Sequence, residues 1–463
     1  MDSSVSYFDG PPVMCSVYSE RFTERGMKFY IETFGCQMNE HDTEKMEHLL
    51  LKDGFEQTQD VSVADVVIVN TCCVREKAEQ KFYSFMGRLR SMKNRRGTIL
   101  GVTGCIAQME KEHIKERLPF IDFSLGPSSI HRIKEAIEEG AKSKPFLDFS
   151  DNGCNPYLFI KPGIMNKKAK TYVTIMKGCN NFCSYCIVPY VRGREVSRES
   201  EDIIKEIEDL AMQGVKEVTL LGQNVNSYNK GRDDIAFPEL LKRINGIHGI
   251  ERIRFVTSHP RDLSFELIDC FGTLEKLCEH IHLPFQSGSD KVLKLMNRGY
   301  SIKEYVEKIM MLRNRCEDIS ITADCIVGFP GEEEEDFNQT VELIRHVRFD
   351  GIFSFVYSPR KHTFASTLSD EIPRALALER LVYLQGVQKS ITLDKNRGME
   401  GKEVDVLVED VSRNSKEDLA GRTRTNKIVN FRGSQDMTGR FVRVGIIKGY
   451  ANSLKGELIS KEA

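Results

Sequence analysis

Three cysteines in one short segment have the spacing of ligands for an iron–sulfur cluster. The segment Lys177–Cys186 reads KGCNNFCSYC and contains Cys179, Cys183 and Cys186. Cysteine thiolates are soft ligands, and they suit the iron atoms of such clusters. Because a cubane cluster has four irons, three thiolates leave one iron open. That iron could chelate a small molecule through an amino and a carboxylate group.

Structural zinc and ordinary core cysteines are the two other interpretations of this segment. Structural zinc usually has four ligands, often arranged as two Cys-x-x-Cys pairs. The segment has three cysteines with unequal gaps and no histidine between them. The spacing therefore favours a cluster over either alternative.

Three further cysteines each follow a predicted strand directly. Cys36 lies in TFGCQMN, Cys72 in VNTCC and Cys105 in VTGCIAQ. The carboxyl ends of parallel strands face one crevice, so these residues are predicted to converge and to hold a second cluster with an open iron. Any one of them could instead be a core cysteine. Cys73 competes with Cys72, since both lie at the same turn.

Cysteine usage also indicates the compartment. The chain has 13 cysteines, and residues 1–26 lack the basic start and apolar stretch of a secretory signal. We expect this tail to be flexible and the protein to be cytoplasmic, where metal binding is a commoner use of cysteine than a disulfide framework. The cysteines without ligand spacing are interpreted as structural or incidental: Cys15, Cys154, Cys270, Cys278, Cys316 and Cys325.

The elements around the second cysteine set predict a doubly wound α/β domain with a parallel sheet over residues 27–145. Apolar runs that read as strands alternate there with helical patterns, as parallel sheets require. The predicted strands are Lys28–Gly35, Val66–Thr71 and Thr98–Gly104. The predicted helices are Asn39–Lys52, a long basic helix that ends near Arg96, and Ala107–Leu118. Residues 146–168 have no clear periodicity and are predicted to be a linker.

Residues 169–398 predict a partial (β/α)6 barrel that resembles an incomplete TIM barrel. Its functional site would lie at the carboxyl ends of the strands. The helical pattern Glu201–Gln213 is one of those that separate the strands. The candidate strands are Tyr172–Lys177, Glu217–Leu221, Ile253–Thr257, His280–Pro284, Ile319–Val327 and Ile352–Tyr357.

Residues 399–463 predict a small β-barrel, with strands at Val404–Val408 and Arg440–Ile447. The whole chain has a net charge of −2, but Ser412–Lys461 carries 11 Lys and Arg against 4 Asp and Glu, a net charge of +7. Such an asymmetry favours a polyanionic partner, although a solvated surface is an equally simple interpretation. The chain has no run of about 18 apolar residues, so a membrane span is not expected.

The first cysteine segment resembles the signature of the radical S-adenosylmethionine enzymes, in which an aromatic residue, here Tyr185, precedes the last cysteine. The resemblance implies that the open iron binds the methionine part of S-adenosylmethionine. It also suggests cofactor contacts at Gly222, Gln223 and Asn224, after the second barrel strand. A further segment at the end of a later strand, Ile326, Val327 and Gly328, is similar to the adenine-facing segment of that family. These glycines could instead simply turn the chain.

The two cysteine sets and the basic C-terminal part together resemble the methylthiotransferases of the radical S-adenosylmethionine class. The resemblance covers nearly the whole chain after residue 26. The motifs TFGCQMNEHD, NTCCVREKAEQK, CIVPYVRGREVSR, LLGQNVNSY and GRTRTNKIVNF are similar to the branch that acts on N(6)-dimethylallyladenosine in tRNA.

This resemblance implies two 4Fe–4S clusters and S-adenosylmethionine as cofactors. One S-adenosylmethionine would methylate a sulfur held at the second cluster, and another would give the radical that removes the C2 hydrogen of the adenine. The implied partners are the tRNA anticodon stem-loop and an electron donor such as a flavodoxin or ferredoxin. The C-terminal barrel would be an RNA-binding TRAM domain, with Arg422, Arg424 and Lys427 on phosphate oxygens. The sequence singles out no protein acid or base.

Other functions are compatible with some of these sequence features. The same chemistry could act on threonylcarbamoyl-adenosine or on a ribosomal protein. A non-catalytic iron–sulfur protein that binds RNA would contain clusters but form no 5′-deoxyadenosine. A zinc-binding RNA module would be colourless and free of sulfide. No heptad pattern is apparent, so a monomer is the expected state.

Overall fold

The computed structural model describes residues 26–73, 76–142, 144–151, 156–162, 169–413 and 415–459. Contacts divide the chain into two compact units, Met1–Gly163 and Ile164–Ala463. The predicted tail before Gly26 lies outside the described residues, as do Cys15 and Cys154 and part of the predicted linker. None of the helices that the structure describes has the length and apolar character needed to cross a bilayer.

The first unit is built on a parallel sheet, which confirms the predicted doubly wound domain. Within the described residues its six strands run in the order β2-β1-β3-β4-β5-β6. Two central strands are buried along their whole length, which explains their continuous apolar sequences. The strands are β1 (Lys28–Phe34), β2 (Glu56–Gln57), β3 (Val66–Thr71), β4 (Ile99–Gly104), β5 (Phe123–Leu125) and β6 (Phe146–Asp148).

Helices connect these strands. The helix after β1 begins with a capping box formed by Cys36 and Asn39, and Gly54 follows its end at a φ of +86°. The helices of this unit are α1 (Gln37–Lys52), α2 (Glu76–Arg96), α3 (Cys105–Glu110), α4 (Ile114–Arg117) and α5 (Ile133–Gly140).

Two features of the first unit differ from the sequence-based expectation. The helix predicted over Ala107–Leu118 is split into α3 and α4 by a turn at Lys111, whose φ is +47°. Phe146–Asp148, assigned to the linker, pairs with β5 as an edge strand. A strand this short is too brief to show periodicity, so its neighbour in the sheet defines it.

The second unit begins with a partial barrel of parallel strands, as predicted. Two three-stranded sheets, β11-β10-β7 and β12-β13-β14, are joined by a parallel bridge between Ile253 and Leu277. Apolar side chains such as Val218, Leu220 and Ile321 fill the space between strands and helices. The barrel strands are β7 (Lys170–Thr174), β10 (Glu217–Leu221), β11 (Arg252–Phe255), β12 (His280–His282), β13 (Ser320–Val327) and β14 (Gly351–Val356), and a separate antiparallel pair comprises β8 (Met176–Lys177) and β9 (Val196–Ser197).

Helices follow most of the barrel strands. The last of them, which starts directly after Pro373, leads into the C-terminal part of the chain. The helices of the second unit are α6 (Val188–Val191), α7 (Ser200–Met212), α8 (Phe237–Asn245), α9 (Phe265–Thr273), α10 (Asp290–Leu295), α11 (Ile302–Arg315), α12 (Glu334–Val347) and α13 (Arg374–Arg397).

The C-terminal strands form a closed barrel in the order β15-β16-β17-β19-β18. Its core contains Val406, Val444 and Phe431, all fully buried. Arg252 and Arg254 on β11 donate hydrogen bonds to backbone carbonyls of this barrel at 2.7–2.9 Å. The strands are β15 (Glu403–Val411), β16 (Asp418–Thr423), β17 (Ile428–Arg432), β18 (Phe441–Gly449) and β19 (Leu454–Leu458).

Candidate functional site

The three cysteines of the first unit lie together at one edge of the sheet. Cys36 follows β1, Cys72 follows β3 and Cys105 follows β4, and these strands are adjacent. The Cys72 thiol is within hydrogen-bonding distance of the thiols of Cys105 and Cys36, and these two contacts together with burial raise its pKa well above the usual value. Cys73, the next residue, is also buried. The structure brings the three predicted residues together, and their role as ligands stays a prediction.

Two buried amides and a glycine support this set of thiols. Asn39 Oδ1 accepts hydrogen bonds from the backbone N–H and the Sγ of Cys36, both at 3.3 Å. Asn39 Nδ2 donates to Asn70 Oδ1 at 3.1 Å, and Asn70 Nδ2 donates to the Asn39 carbonyl at 2.8 Å. Gly104 precedes Cys105 with a φ of +93°, and a Cβ there would lie 2.5 Å from Asn70 Oδ1. The network therefore couples the turns that carry two of the three cysteines.

The second set of cysteines occupies the loop between β8 and α6, at the start of the barrel. Gly178 begins this loop with a φ of +76°, and a Cβ there would lie 2.1 Å from the carbonyl oxygen of Arg194. Only glycine fits this turn without displacing the backbone. Cys179 and Cys183 are buried and Cys186 is partly buried. The Cys186 N–H donates to the Cys183 carbonyl at 2.9 Å, which closes the second half of the loop.

Neighbouring segments hold this loop from outside. The Ser184 N–H donates to the Met296 carbonyl at 3.0 Å, and the Ala365 N–H donates to the Ser184 carbonyl at 2.8 Å. Asn297 Nδ2 donates to the carbonyl of Phe182 at 3.0 Å, where the φ of Phe182 is +46°. The loop is thus positioned by distant parts of the barrel as well as by its own sequence.

Burial keeps the thiols of Cys179 and Cys186 protonated in the metal-free protein. It raises the pKa of Cys179 to about 11, and burial together with the charge of Cys183 raises the pKa of Cys186 to about 12. Metal binding must displace these protons, because thiolates are the ligands. Two donors face the sulfur atoms: the Asn181 N–H lies 3.5 Å from Cys179 Sγ, and Arg298 Nη1 lies 3.3 Å from Cys183 Sγ.

Two of the predicted cofactor contacts carry buried polar atoms that have no partner in the described part of the protein. Gln223 follows Gly222 after β10, and its Oε1 accepts a hydrogen bond from the Gly178 N–H. Asn224 Nδ2 donates to Asp262 Oδ2 at 2.8 Å. Within the described residues, Gln223 Nε2 and Asn224 Oδ1 have no partner. A buried donor and a buried acceptor left open are what a polar ligand would satisfy.

The second predicted cofactor segment lies at the end of β13. The Ile326 N–H donates to the Gln286 carbonyl at 2.9 Å, and Val327 is fully buried. Gly328 turns the chain with a φ of +70°, and its N–H donates to Glu332 Oε1 at 3.0 Å. Both segments lie at carboxyl ends of barrel strands, as predicted, and contact with a cofactor stays a prediction for each of them.

Sequence reasoning missed three buried polar residues near the loop. Gln286 has a φ of +69°, and its Oε1 lacks a partner among the described residues. His259 Nε2 lies 4.0 Å from Cys183 Sγ, and burial and Arg298 lower the pKa of His259 to about 2. Arg298 contacts both Cys183 and the hydroxyl of Tyr185. His259 and Arg298 lie 76 and 115 residues from Cys183 along the chain, so no local spacing indicates them.

The chemistry of these donors fits the cofactors that the sequence suggests. Each cysteine set offers three sulfur ligands, and the open polar atoms beside the barrel loop suit a ligand with amino, carboxylate and adenine groups. Among the described residues, no three His, Cys, Asp or Glu side chains surround a single metal-ion position. The thiolates of a cubane cluster each bind a different iron, so a cluster needs no such position.

The three cations predicted to bind RNA make contacts within the second unit. Arg424 Nε lies 2.8 and 2.9 Å from the two carboxylate oxygens of Glu279, and Lys427 Nζ donates to Asp350 Oδ1 at 3.0 Å. Arg422 donates to the Asn426 carbonyl at 3.1 Å. Arg424 and Lys427 therefore join the C-terminal barrel to the partial barrel, and an RNA-binding role for the three cations stays a prediction.

Three models of known protein families match successive parts of this chain. Residues 28–126 match the model described as Uncharacterized protein family UPF0004. Residues 173–344 match the Radical SAM superfamily, and residues 397–459 match the TRAM domain.

Similar proteins cover almost the whole chain. The tRNA-2-methylthio-N(6)-dimethylallyladenosine synthase of Syntrophus aciditrophicus (strain SB) is 52% identical over 94% of this chain and 95% of its own length. The protein of the same name from Geobacter metallireducens is 51% identical over 93% of this chain and 98% of its own length.

A solved structure shares the fold at low sequence identity. The radical S-adenosylmethionine methyltransferase TsrM from Kitasatospora setae, solved with cobalamin and a 4Fe–4S cluster bound, has a TM-score of 0.55 and 14% identity. The match covers 74% of each chain. At this identity the likeness supports the fold alone.

Two observations assign the family: relatives that match almost the whole chain, and three domain models that match it in the same order as its domains. Both cysteine sets fall inside regions that these models match. The chain belongs to the family of tRNA-2-methylthio-N(6)-dimethylallyladenosine synthases, which are radical S-adenosylmethionine enzymes.

Proposed function

We propose that this chain attaches a methylthio group to C2 of N(6)-dimethylallyladenosine next to the anticodon of tRNA. The observation that carries the proposal is the presence of two separate sets of three cysteines, one after the parallel strands β1, β3 and β4 of the first unit and one in the loop after β8 of the second. Relatives that are 52% and 51% identical carry this activity in their names.

The two cysteine sets have different roles in this proposal. Cys179, Cys183 and Cys186 hold the cluster that works with S-adenosylmethionine. The set of Cys36, Cys72 and Cys105 holds the auxiliary cluster. When bound, the two clusters and S-adenosylmethionine supply the radical removal of the C2 hydrogen and the transfer of sulfur, for which protein side chains have no suitable groups.

The residues around the barrel loop bind and orient S-adenosylmethionine, and they shield the reacting centre from water. Gln223 and Asn224 would offer one open donor and one open acceptor to the cofactor, and the segment that ends at Gly328 would hold its adenine. Burial of Cys179 and Cys183 keeps water away from the reacting centre. None of these side chains needs to move a proton at the target carbon.

The remaining partners follow from the same chemistry. We propose that the TRAM domain contacts phosphates of the anticodon stem-loop, since its sequence has a net positive charge. An external one-electron donor such as a flavodoxin or ferredoxin is required. We propose a cytoplasmic location, because iron–sulfur assembly on free thiols needs a reducing compartment. We also propose that the protein is a monomer.

The proposal is tested by mass spectrometry of nucleosides. The anaerobically reconstituted protein is incubated with reductant, S-adenosylmethionine and tRNA that bears N(6)-dimethylallyladenosine. We expect a new nucleoside that is heavier by one methylthio group. Formation of 5′-deoxyadenosine without this nucleoside would contradict the substrate, and the absence of both from a protein with loaded clusters would contradict the enzyme.

Cysteine variants test the division of roles. Cys183→Ala should abolish both 5′-deoxyadenosine and the product. Cys72→Ala should retain 5′-deoxyadenosine and lose the product. Cys73→Ala is the matched control, since Cys73 is an equally buried neighbour, and it should retain both. Loss of cofactor cleavage in Cys72→Ala under reducing conditions would overturn this division.

A further inference from the structure

Arg298 is a buried cation in direct contact with a cysteine of the barrel loop. It lies between α10 and α11 and is only 4% exposed. Its Nη1 lies 3.3 Å from Cys183 Sγ and 3.4 Å from the hydroxyl of Tyr185. Its Nη2 donates to the Pro284 carbonyl at 2.8 Å, and its Nε donates to the Tyr300 hydroxyl at 3.3 Å. The guanidinium therefore has one fixed position against the sulfur.

No carboxylate within the described residues forms an ion pair with this guanidinium. Three other buried arginines of the second unit do have such partners: Arg380 lies 2.5 Å from Glu332, Arg254 lies 3.1 Å from Glu217, and Arg198 pairs with two carboxylates. The acceptors around Arg298 are a carbonyl, two phenol hydroxyls and the sulfur of Cys183. A buried cation without a counter-ion is costly.

The missing counter-ion is the cysteine itself in its metal-bound form. Arginine stays protonated in proteins, so its charge is permanent. Cys183 carries a negative charge when it binds iron as a thiolate. A site with three thiolates is anionic as a whole, and it takes up one more negative charge when its cluster accepts an electron. The buried cation must favour the more negative of the two oxidation states, because the low local dielectric strengthens the attraction.

We propose that Arg298 is a tuning residue that raises the reduction potential of the cluster held by Cys179, Cys183 and Cys186. This inference rests on the proposed function. The electron comes from the external one-electron donor already required by that function, and it is added to the cluster with no bond formed or broken in the protein. Hydrogen bonds and charges near cluster sulfurs are known determinants of such potentials.

The potential can be measured on the full-length chain with one cluster. Cys36, Cys72 and Cys105 are changed to alanine together, so that only the barrel loop binds a cluster, and the protein is reconstituted anaerobically. The reduced fraction is followed by electron paramagnetic resonance during a redox titration without S-adenosylmethionine. Arg298→Gln removes the charge and keeps amide donors, whereas Arg298→Lys keeps the charge.

At the midpoint potential of the parent, we expect the ratio of reduced to oxidised cluster to fall about tenfold in Arg298→Gln, which equals about 59 mV for one electron. Arg298→Lys should stay within about threefold of the parent, a shift of less than 30 mV. Tyr300→Phe is the control, because it removes one hydrogen-bond partner of the guanidinium and leaves the charge in place. It should match the parent.

The outcomes separate this inference from the proposed function. Failure of the parent to bind a cluster at the barrel loop would contradict the proposed function. A fully loaded Arg298→Gln protein with the potential of the parent would overturn the inference. If Arg298→Gln does not load, Arg298→Met, which also removes the charge, takes its place: a reduced ratio about tenfold lower than that of the parent supports the role of charge, and the potential of the parent overturns it.

Discussion

At the scale of single residues, Asn39 orients the thiol of Cys36, which we propose as a cluster ligand. Its Oδ1 faces both the N–H and the Sγ of Cys36. Because side chains that orient a metal ligand typically contribute 10–100-fold to metal affinity, Asn39→Ala should lower iron binding at this site by about that factor. Iron and sulfide per chain are measured as the iron supply is varied, in a protein whose barrel-loop cysteines are alanine.

Glu40→Gln provides the control for this measurement. Glu40 is the next residue of α1, and its side chain is exposed. It should bind iron like the parent. Equal iron affinity of Asn39→Ala and the parent would show that the amide does not position Cys36.

A second residue-scale prediction concerns pH. Burial, with the nearby charge of Arg254, lowers the pKa of His280 to about 3, and its Nε2 lies 3.1 Å from the Thr322 hydroxyl. The pKa in the unfolded chain is about 6.5. As pH falls from 6.5 towards 3, the unfolded chain takes up a proton that the folded protein does not, so the free energy of unfolding decreases.

His280→Gln should therefore flatten this dependence by at most about 1.4 kcal/mol per pH unit, since one proton is involved. Urea unfolding at pH 7 and pH 5.5 measures it. His113→Gln, at an exposed position, should retain the slope of the parent. A parent-like slope in His280→Gln would mean that His280 does not contribute to the acid sensitivity.

The same residues show what a sequence can indicate. The convergence of Cys36, Cys72 and Cys105 could be predicted, because each follows a recognisable strand and parallel strands bring their carboxyl ends together. The position of Arg298 could not be predicted, because a contact across 115 residues depends on tertiary structure. Arg424 was predicted from its charge to bind phosphate, and nothing in the sequence indicates the Glu279 carboxylate that it contacts.

At the scale of elements, the turn from β4 into α3 depends on one glycine. Gly104 has a φ of +93° and a ψ of −159°, a region that only glycine enters easily, and a Cβ there would lie 2.5 Å from the Thr71 carbonyl. Gly104→Ala should destabilise the protein by at least about 1–3 kcal/mol and displace Cys105. Urea unfolding measures the first effect, and iron content measures the second.

A glycine in a neighbouring helix gives the matched control. Gly87 lies inside α2, and a Cβ there would meet nothing within 4 Å. Gly87→Ala should stabilise the protein by about 0.5–1 kcal/mol, because alanine is the better helix former. If both substitutions had the same effect, the backbone conformation at Gly104 would not be the reason for glycine there.

The bounds of strands could be predicted from the sequence where a continuous apolar run marks them. Val66–Thr71 and Glu217–Leu221 are strands with the predicted bounds, since continuous burial leaves a continuous apolar run. The short strands β5 and β6 were missed, because three residues show no period. The break between α3 and α4 at Lys111 was missed too, as no glycine or proline marks it.

At the scale of the whole molecule, the attachment of the TRAM domain gives another test. Arg424 binds both carboxylate oxygens of Glu279 and the Leu277 carbonyl, the latter at 2.7 Å. Arg424→Ala should lower the free energy of unfolding by on the order of 2 kcal/mol, because charged hydrogen bonds are lost. The salt dependence of tRNA binding should keep its slope, since the guanidinium is engaged within the protein.

The alternative has a distinct signature. If Arg424 binds a phosphate, Arg424→Ala should reduce the slope of log affinity against log salt by about 0.7–0.9. Arg443→Ala is the control for stability, because Arg443 is 61% exposed and pairs with Glu403 at the surface. It should change the free energy of unfolding by less than about 1 kcal/mol.

The way in which the arginines of β11 bind the TRAM domain determines which substitutions in that domain are tolerated during evolution. Arg252 and Arg254 bind main-chain oxygens of the domain rather than its side chains. Every residue type presents the same carbonyl, so the side chains at the contacted positions are free to be replaced without breaking these bonds. Side chains of the domain can therefore be substituted while these four main-chain hydrogen bonds are kept. The contacted carbonyls belong to Asp405, Arg422, Thr423 and Arg424.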